Sequence, residues 1–395
     1  MIALETSMSV RQACLAIFLL TTCGSAKSEG LFSAVSGKDI NQLELMQKHG
    51  LNAGGWLAVG ATYATDNQAN HNNSPISFND QSNKVLLNQA NLFVERLVDM
   101  DANEWNVGGR IDVLFGTDSR FTHATGLDDK LINERDLGHY DLAIPQAYME
   151  VFMPFGKGIT AKIGHFYTVI GHEVVTAPNN FFYSHSYAMQ YGEPFTHSGV
   201  LFSYAVNNNF TVNSGAVTGW DNFDKNLSNW NFLGDLSWTN DEASSAASWS
   251  IISGDVGNKA ASSNRTLSSL VISQRLGDKL QYVFQNDIGY QRQAVNSLND
   301  VFWYGINQYL FYDLSDTVSA GIRGEWFRDN NGTRLNIGSP GDYYAITAGV
   351  NWKAIGWLTL RPELRYDWAH SKTKAYNNHT QDNQLELAVD MVVTF

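Results

Sequence analysis

No stretch of this 395-residue sequence is long and apolar enough to cross a bilayer as a helix. The longest apolar run, Ala13 to Leu20, supplies under half of the roughly 20 residues such a span needs. Arg11 precedes it and Gly24-Ser25-Ala26 follows it, the pattern of a secretory signal over 1–26 cleaved after Ala26, with Lys27 first in the mature chain. Glu5 is out of place in such a segment, and a start at Met8 removes it. Leu20-Thr21-Thr22-Cys23-Gly24 resembles a lipoprotein box, but Thr22 is larger than the small residue such a box carries.

Cysteine is almost absent. Cys14 and Cys23 both lie in the signal, so a processed chain has no thiol, which excludes disulfides and thiolate metal sites. Positive charge is also short: 26 Lys and Arg against 39 Asp and Glu give a net charge of -13. Phosphate would be repelled, so nucleic acid is excluded as a partner, and the balance leans an ion path toward cations. There is no Gly-x-Ser-x-Gly elbow and no standard zinc spacing, so no enzyme, cofactor or metal is expected.

What the sequence does have is alternation. Leu385, Leu387, Val389, Met391, Val393 and Phe395 alternate with Glu386, Ala388, Asp390, Val392 and Thr394, a period of two that defines a strand with unlike faces. Leu358, Leu360, Pro362, Leu364, Tyr366 and Trp368 alternate likewise with Thr359, Arg361, Glu363, Arg365 and Asp367. Strands follow near 54–64, 86–98, 105–115, 143–153, 158–166, 197–206, 209–220, 229–239, 244–254, 264–274, 279–290, 301–313, 316–328, 342–353, 356–368 and 385–395. That makes about sixteen, most about ten residues long, the length a tilted strand needs to cross a membrane.

Short turns such as 206–209, 239–242, 276–279 and 313–316 alternate with long loops such as 65–85, 116–142, 167–196, 329–341 and 369–383. This rhythm predicts an all-β, antiparallel up-and-down transmembrane barrel over 54–395, with short periplasmic turns and long extracellular loops. Residues 27–53 are a short periplasmic lead-in, too short for the plug of a gated importer. Trp105, Trp220, Trp230, Trp238, Trp303, Trp326, Trp352, Trp357 and Trp368 fall near strand ends and suit interfacial girdles.

The motifs Gly171-His172-Glu173-Val174 and Pro178-Asn179-Asn180-Phe181-Phe182-Tyr183 within 164–185, with Gln190-Tyr191-Gly192-Glu193-Pro194-Phe195, resemble the OmpL-like β-barrel porin family (porin-2 type). Asn307-Gln308-Tyr309-Leu310-Phe311-Tyr312, Gly324-Glu325-Trp326-Phe327-Arg328-Asp329 and Leu360-Arg361-Pro362-Glu363-Leu364-Arg365 extend the resemblance over 54–395. It implies a general porin in the outer membrane of a Gram-negative envelope, a channel for passive diffusion of small hydrophilic solutes or ions. Outer-membrane lipid, a homotrimer and, through the terminal Phe395, transient contact with the barrel-assembly machinery are the implied partners.

A barrel of that size is too wide for wall side chains to fill, so water enters unless a loop folds in. Loop 167–196, rich in Tyr, Phe and His and stiffened by Pro178 and Pro194, is the candidate constriction, with His172, Glu173, His185 and Glu193 as its polar groups. A charge facing lipid near the midplane costs about 2–4 kcal/mol, so Arg110, Asp112, Glu150, Lys162, Arg323, Glu325, Arg361, Glu363 and Arg365 are expected to point inward and line the pore. Facing charges across a narrow passage would set a transverse field favouring hydrated solutes. His165, His172, His185 and His197 with Glu173 and Glu193 read as hydrogen-bonding groups and not as a metal site. Two other readings are a non-conducting adhesin or structural barrel, and a barrel lipid hydrolase using Ser184 or Ser186 with His185.

Overall fold

The structure, a computed structural model, describes residues 30–65, 71–132, 138–223, 230–256, 263–292 and 299–395. The expected signal segment and its cleavage site lie outside the described residues. Sixteen antiparallel strands pair with their neighbours in sequence, and the last closes on the first. They are β1 Asn52–Ala64, β2 Lys84–Arg96, β3 Asn106–Gly116, β4 Asp141–Met153, β5 Ile159–Tyr167, β6 Thr196–Ala205, β7 Phe210–Val217 and β8 Asn231–Thr239. The second half comprises β9 Ser245–Asp255, β10 Asn264–Leu276, β11 Leu280–Gln291, β12 Val301–Asp313, β13 Val318–Asp329, β14 Gly341–Ile355, β15 Leu358–Ser371 and β16 Asn383–Thr394. All the strands predicted from alternation are present, with ends displaced by a few residues.

Closure follows from the two-residue period. In β13 to β16, Ile322, Ile346, Leu364 and Leu387 are exposed on the outer face, whereas Arg323, Thr347, Arg365 and Glu386 between them are buried inside. A slip of one residue would exchange the two sets and put charge into lipid, so the register is strongly specified. At the closing seam Trp56 opposes Thr394 and Ala64 opposes Glu386. Gly55 and Phe395 exchange backbone hydrogen bonds of 2.9 and 3.0 Å, which ties in the last residue.

The lead-in is ordered against this seam. Short helices α1 Leu31–Ser36 and α2 Glu44–His49 flank a 3₁₀ turn, Ile40–Gln42. Phe32 meets the Phe395 ring edge-on at 4.7 Å, and the Asn41 amide bonds both the N–H and the C=O of Ala53. None of these helices could span a membrane.

The tight connections 154–158, 206–209, 240–244, 277–279, 314–317 and 356–357 share one rim, and the long loops share the other. Two tryptophans depart from the girdle expectation. Trp303 is fully buried inside the barrel, in a cluster with Val301, Phe327 and Tyr343 against which Trp220 packs. Trp303 follows Val301 at a spacing of two, so it takes the inward face despite lying near a strand end. Trp105, Trp230 and Trp352 are exposed, as an interfacial position requires.

Candidate constriction and the loop that forms it

Between β5 and β6 the chain leaves the wall and crosses the lumen. Along 168–195 it touches β2, β9, β11, β12, β13 and β15. Ser250 Oγ on β9 donates to Val169 O at 3.2 Å, and His172 N–H donates to Gln285 Oε1 on β11 at 3.0 Å. On the far side the Gln89 amide of β2 donates to Val175 O at 2.7 Å and accepts from Ala177 N–H at 3.0 Å. The loop therefore reaches from one wall to the opposite one.

An irregular segment inside a barrel must find partners for its backbone polar groups, because each one buried unpaired costs about 1–3 kcal/mol. Here charged wall side chains supply them. Glu363 accepts from the N–H groups of Tyr183 and Ser184 at 2.8 and 3.1 Å, and Glu325 accepts from Tyr187 N–H at 2.9 Å. Arg323 donates to Ser184 O at 2.7 Å, Arg365 to His185 O at 2.8 Å, and Arg361 to Ala177 O and Asn180 O at 2.8 and 2.7 Å. Two wall glycines let the loop aromatics come close: a Cβ on Gly60 would collide with the Tyr183 ring, and one on Gly321 with the Phe181 ring.

The five charges on β13 and β15 do point inward, but they do not line water. Arg323, Glu325, Arg361, Glu363 and Arg365 are 0–6% exposed and lie beneath the loop. Parity fixes the face a side chain takes; it does not reveal that another part of the chain covers that face. Their charges are balanced within the same wall and loop, not across an open passage. Arg323 reaches Glu325 at 2.7 Å and Glu173 at 2.8 Å, and Arg365 reaches Asp367 at 2.8 Å and Glu325 at 3.2 Å. Arg361 pairs with Asp390 through two nitrogens.

The remaining four candidates form a separate wall on β3 to β5. Arg110 is partly exposed, lies over the Phe93 ring, and pairs with Asp112 at 2.6 Å and Glu95 at 2.9 Å. Asp112 is buried and also accepts from Asn91 and Gln146, both at 3.2 Å. Glu150 and Lys162 are register partners, both half-buried, and the Lys162 ammonium sits 4.5 Å from the centre of the Tyr148 ring.

The loop's own polar groups are spread along it. Glu173 accepts from Ser186 N–H at 2.7 Å and Tyr309 Oη–H at 3.2 Å, and lies 3.6 Å from His185 Nδ1. Burial works to raise its carboxyl, but the Arg323 charge and His185 outweigh that and hold the acid well below the usual range. Burial pushes the His172 imidazole down to about 4, so it is neutral where it packs at 4.7 Å on Tyr309. Glu193 bonds Gln285, and burial followed by the neighbouring Asp287 charge raises it well above its ordinary value.

The histidines serve as hydrogen-bonding groups: His165 Nδ1 meets Ser198 Oγ at 2.8 Å, and His197 bridges Gly219 O at 2.8 Å and Thr168 Oγ1 at 2.9 Å. Ser184 Oγ accepts from Arg323 and Ser186 Oγ from Asn307, both buried in the lumen and away from any lipid-facing surface. Asp367, Asp390 and Gln89, which complete the loop anchors, were not among the candidates. Asp367 and Asp390 share the alternation parity of Arg365 and Glu386, which was the available signal.

A sixteen-stranded barrel carrying an inward loop on its wall has the architecture of an outer-membrane porin. Residues 50–395 match the family described as "Putative beta-barrel porin-2, OmpL-like", and the chain belongs to that family. No curated protein sequence matches it. Among solved structures, the anion-selective porin from Comamonas acidovorans is similar at a TM-score of 0.60 and 11% identity, over 87% of this chain and 99% of that one. The outer membrane channel DcaP of Acinetobacter baumannii gives 0.58 and 12%, over 87% and 97%. The trimer form of OmpT of Vibrio cholerae gives 0.54 and 14%, over 87% and 99%. At these identities the likeness is one of fold.

Proposed function

We propose that the protein is a passive diffusion pore of a bacterial outer membrane, in which loop 168–195 narrows a water-filled path for small hydrophilic solutes. The observation carrying this reading is the set of wall charges that grip the loop's backbone. Such a grip places an irregular segment at a fixed position inside a barrel too wide for its own side chains to fill. The half-buried wall around Arg110, Glu150 and Lys162 is the hydrated face left beside it. The short-turn rim is periplasmic in this reading, with residues 27–53 on the same side after removal of a signal near Ala26, and the long loops face outward. Phe395 serves as the signal for barrel assembly. The trimer form of OmpT favours a homotrimer.

Planar-bilayer recordings of the refolded mature chain test the proposal. Stable, step-like openings are expected. A sealed bilayer from protein that still shows a heat-modifiable barrel on a gel would overturn it and leave a non-conducting surface barrel.

A further inference from the structure

Above the lumen loop, at the long-loop end, two arginines are arranged unlike those that grip the loop. Arg265 stands on the inward face of β10, its guanidinium 4.6 Å from the centre of the Trp220 ring. Arg334, in the loop between β13 and β14, lies 5.3 Å from the same ring and 4.7 Å from Trp303, and the two indoles meet edge-on at 6.0 Å. Both guanidiniums are thus braced by aromatic faces, which attract cations without consuming their N–H donors.

Each guanidinium spends only its Nε–H. Arg265 Nε donates to Gln291 Oε1 at 2.9 Å, and Arg334 Nε donates to Tyr191 O at 2.6 Å. Among the described residues the terminal nitrogens of both have no hydrogen bond, and neither arginine is in an ion pair. Two acids stand near, and both are already engaged. Asp221 accepts from the N–H groups of Phe195 and Thr196 at 2.9 and 2.8 Å. Asp329 accepts from the backbone N–H groups of residues 331–335.

Two positive groups thus lie against the same indole. Burial and then the Arg265 charge pull Arg334 down to about 9, against the opposing pull of Asp329 and Asp221. Like charges gathered on one ring destabilise one another, and an anion bound beside them lowers that cost. A guanidinium with both terminal nitrogens free is shaped for bidentate contact with planar or tetrahedral oxyanions.

We infer that Arg265, Arg334 and Trp220 form an oxyanion-binding site at the long-loop mouth, which takes solutes bearing a carboxylate or phosphate group. The site names a solute class for the proposed pore and rests on that reading for transport, though not for binding. It also opposes the chain's overall charge: an acidic protein sets two cations with unused donors where a solute from the long-loop side would first meet the constriction.

Detergent-solubilised protein is titrated with citrate and, separately, with inorganic phosphate, followed by calorimetry and tryptophan fluorescence. Block of single-channel current by the same anions is recorded from each side of a bilayer. Saturable binding that weakens with salt is expected, with block stronger from the long-loop side. The double variant Arg265→Gln/Arg334→Gln should bind at least about tenfold more weakly, since a charge-assisted hydrogen bond is worth more than the 1.4 kcal/mol that corresponds to tenfold. Arg265→Lys/Arg334→Lys, which keeps charge but loses the planar fork, should fall between, and Arg275→Gln at the opposite rim should match the unaltered protein. The tighter of the two anions identifies the carboxylate or the phosphate class. Binding undiminished in the double variant, or no binding of either anion, overturns the site. Binding without conductance would keep the site and overturn the pore.

Discussion

Arg323 on β13 and Arg334 in the loop that follows β13 both bond the lumen loop, yet they differ in almost every other respect. Arg323 makes five hydrogen bonds, to Glu325, Glu173, the carbonyl and hydroxyl of Ser184, and Thr347, which uses every N–H a guanidinium has. It is completely buried. Arg334 makes one side-chain bond to the loop, and among the described residues its terminal nitrogens have no partner. A saturated arginine is part of the architecture, while an unsaturated one remains available to a solute. Two arginines in one lumen can therefore divide the work of fixing the passage and of meeting what passes through it.

Breaking the saturated arginine should have the largest effect. Arg323→Met strands Glu173 without its cation, and removing one member of a buried pair costs about 3–5 kcal/mol. The expected outcome is a barrel that still assembles but whose loop is released, seen as larger and noisier single-channel conductance and as new protease cleavage within 168–195. Normal conductance would mean that the loop is held by packing alone.

Gly321→Ala strikes the same contact from its apolar side. The added methyl meets the Phe181 ring, and overpacking of this kind costs about 1–3 kcal/mol. A lower midpoint for loop protection in hydrogen exchange should accompany it, with the outer wall unchanged.

Acid and base should separate the two loop carboxylates. Glu173 is held below its ordinary value of 4.5, so its contribution is present above that value and is lost as pH falls through the lower one. Glu193 is raised, so the folded loop favours its protonated form and its contribution is lost as pH rises above 4.5. Glu193→Gln should therefore flatten the rise in channel noise on going from mildly acidic to neutral pH. An unchanged profile would assign that rise to another group.

The smallest structural effect belongs to the unsaturated arginine. Arg334→Gln gives up one hydrogen bond and two ring contacts and should cost about 1–2 kcal/mol in a urea titration. A loss comparable with that of Arg323→Met would erase the distinction between the two.

The wall of this barrel was legible in the sequence because its cause is local. Leu364 beside Arg365, or Ile322 beside Arg323, states which face each takes, and lipid enforces the choice. The loop's length, aromatic content and prolines also pointed into the lumen. What could not be read was the pairing of Glu363 with Tyr183, or of Arg361 with Asn180, since such partners lie far apart in sequence and depend on how the barrel closes. The same limit misplaced Trp303 among the girdle residues, although its spacing from Val301 and Asn307 marked the inner face. Arg334 carried no signal, because loops have no period.

The order of the chain adds a consequence in time. Loop 168–195 is synthesised before β9 to β15, which provide most of its grips; Pro75 and Ser77 of the first long loop and Asn88 and Gln89 of β2 precede it. The barrel itself is not shut until β16 lies along β1 and Phe395 is clasped by Gly55. Until the second half of the wall is in place, the loop lacks most of the side chains that grip it. A delay in closing the wall therefore leaves the backbone polar groups of the lumen segment without the side chains that satisfy them.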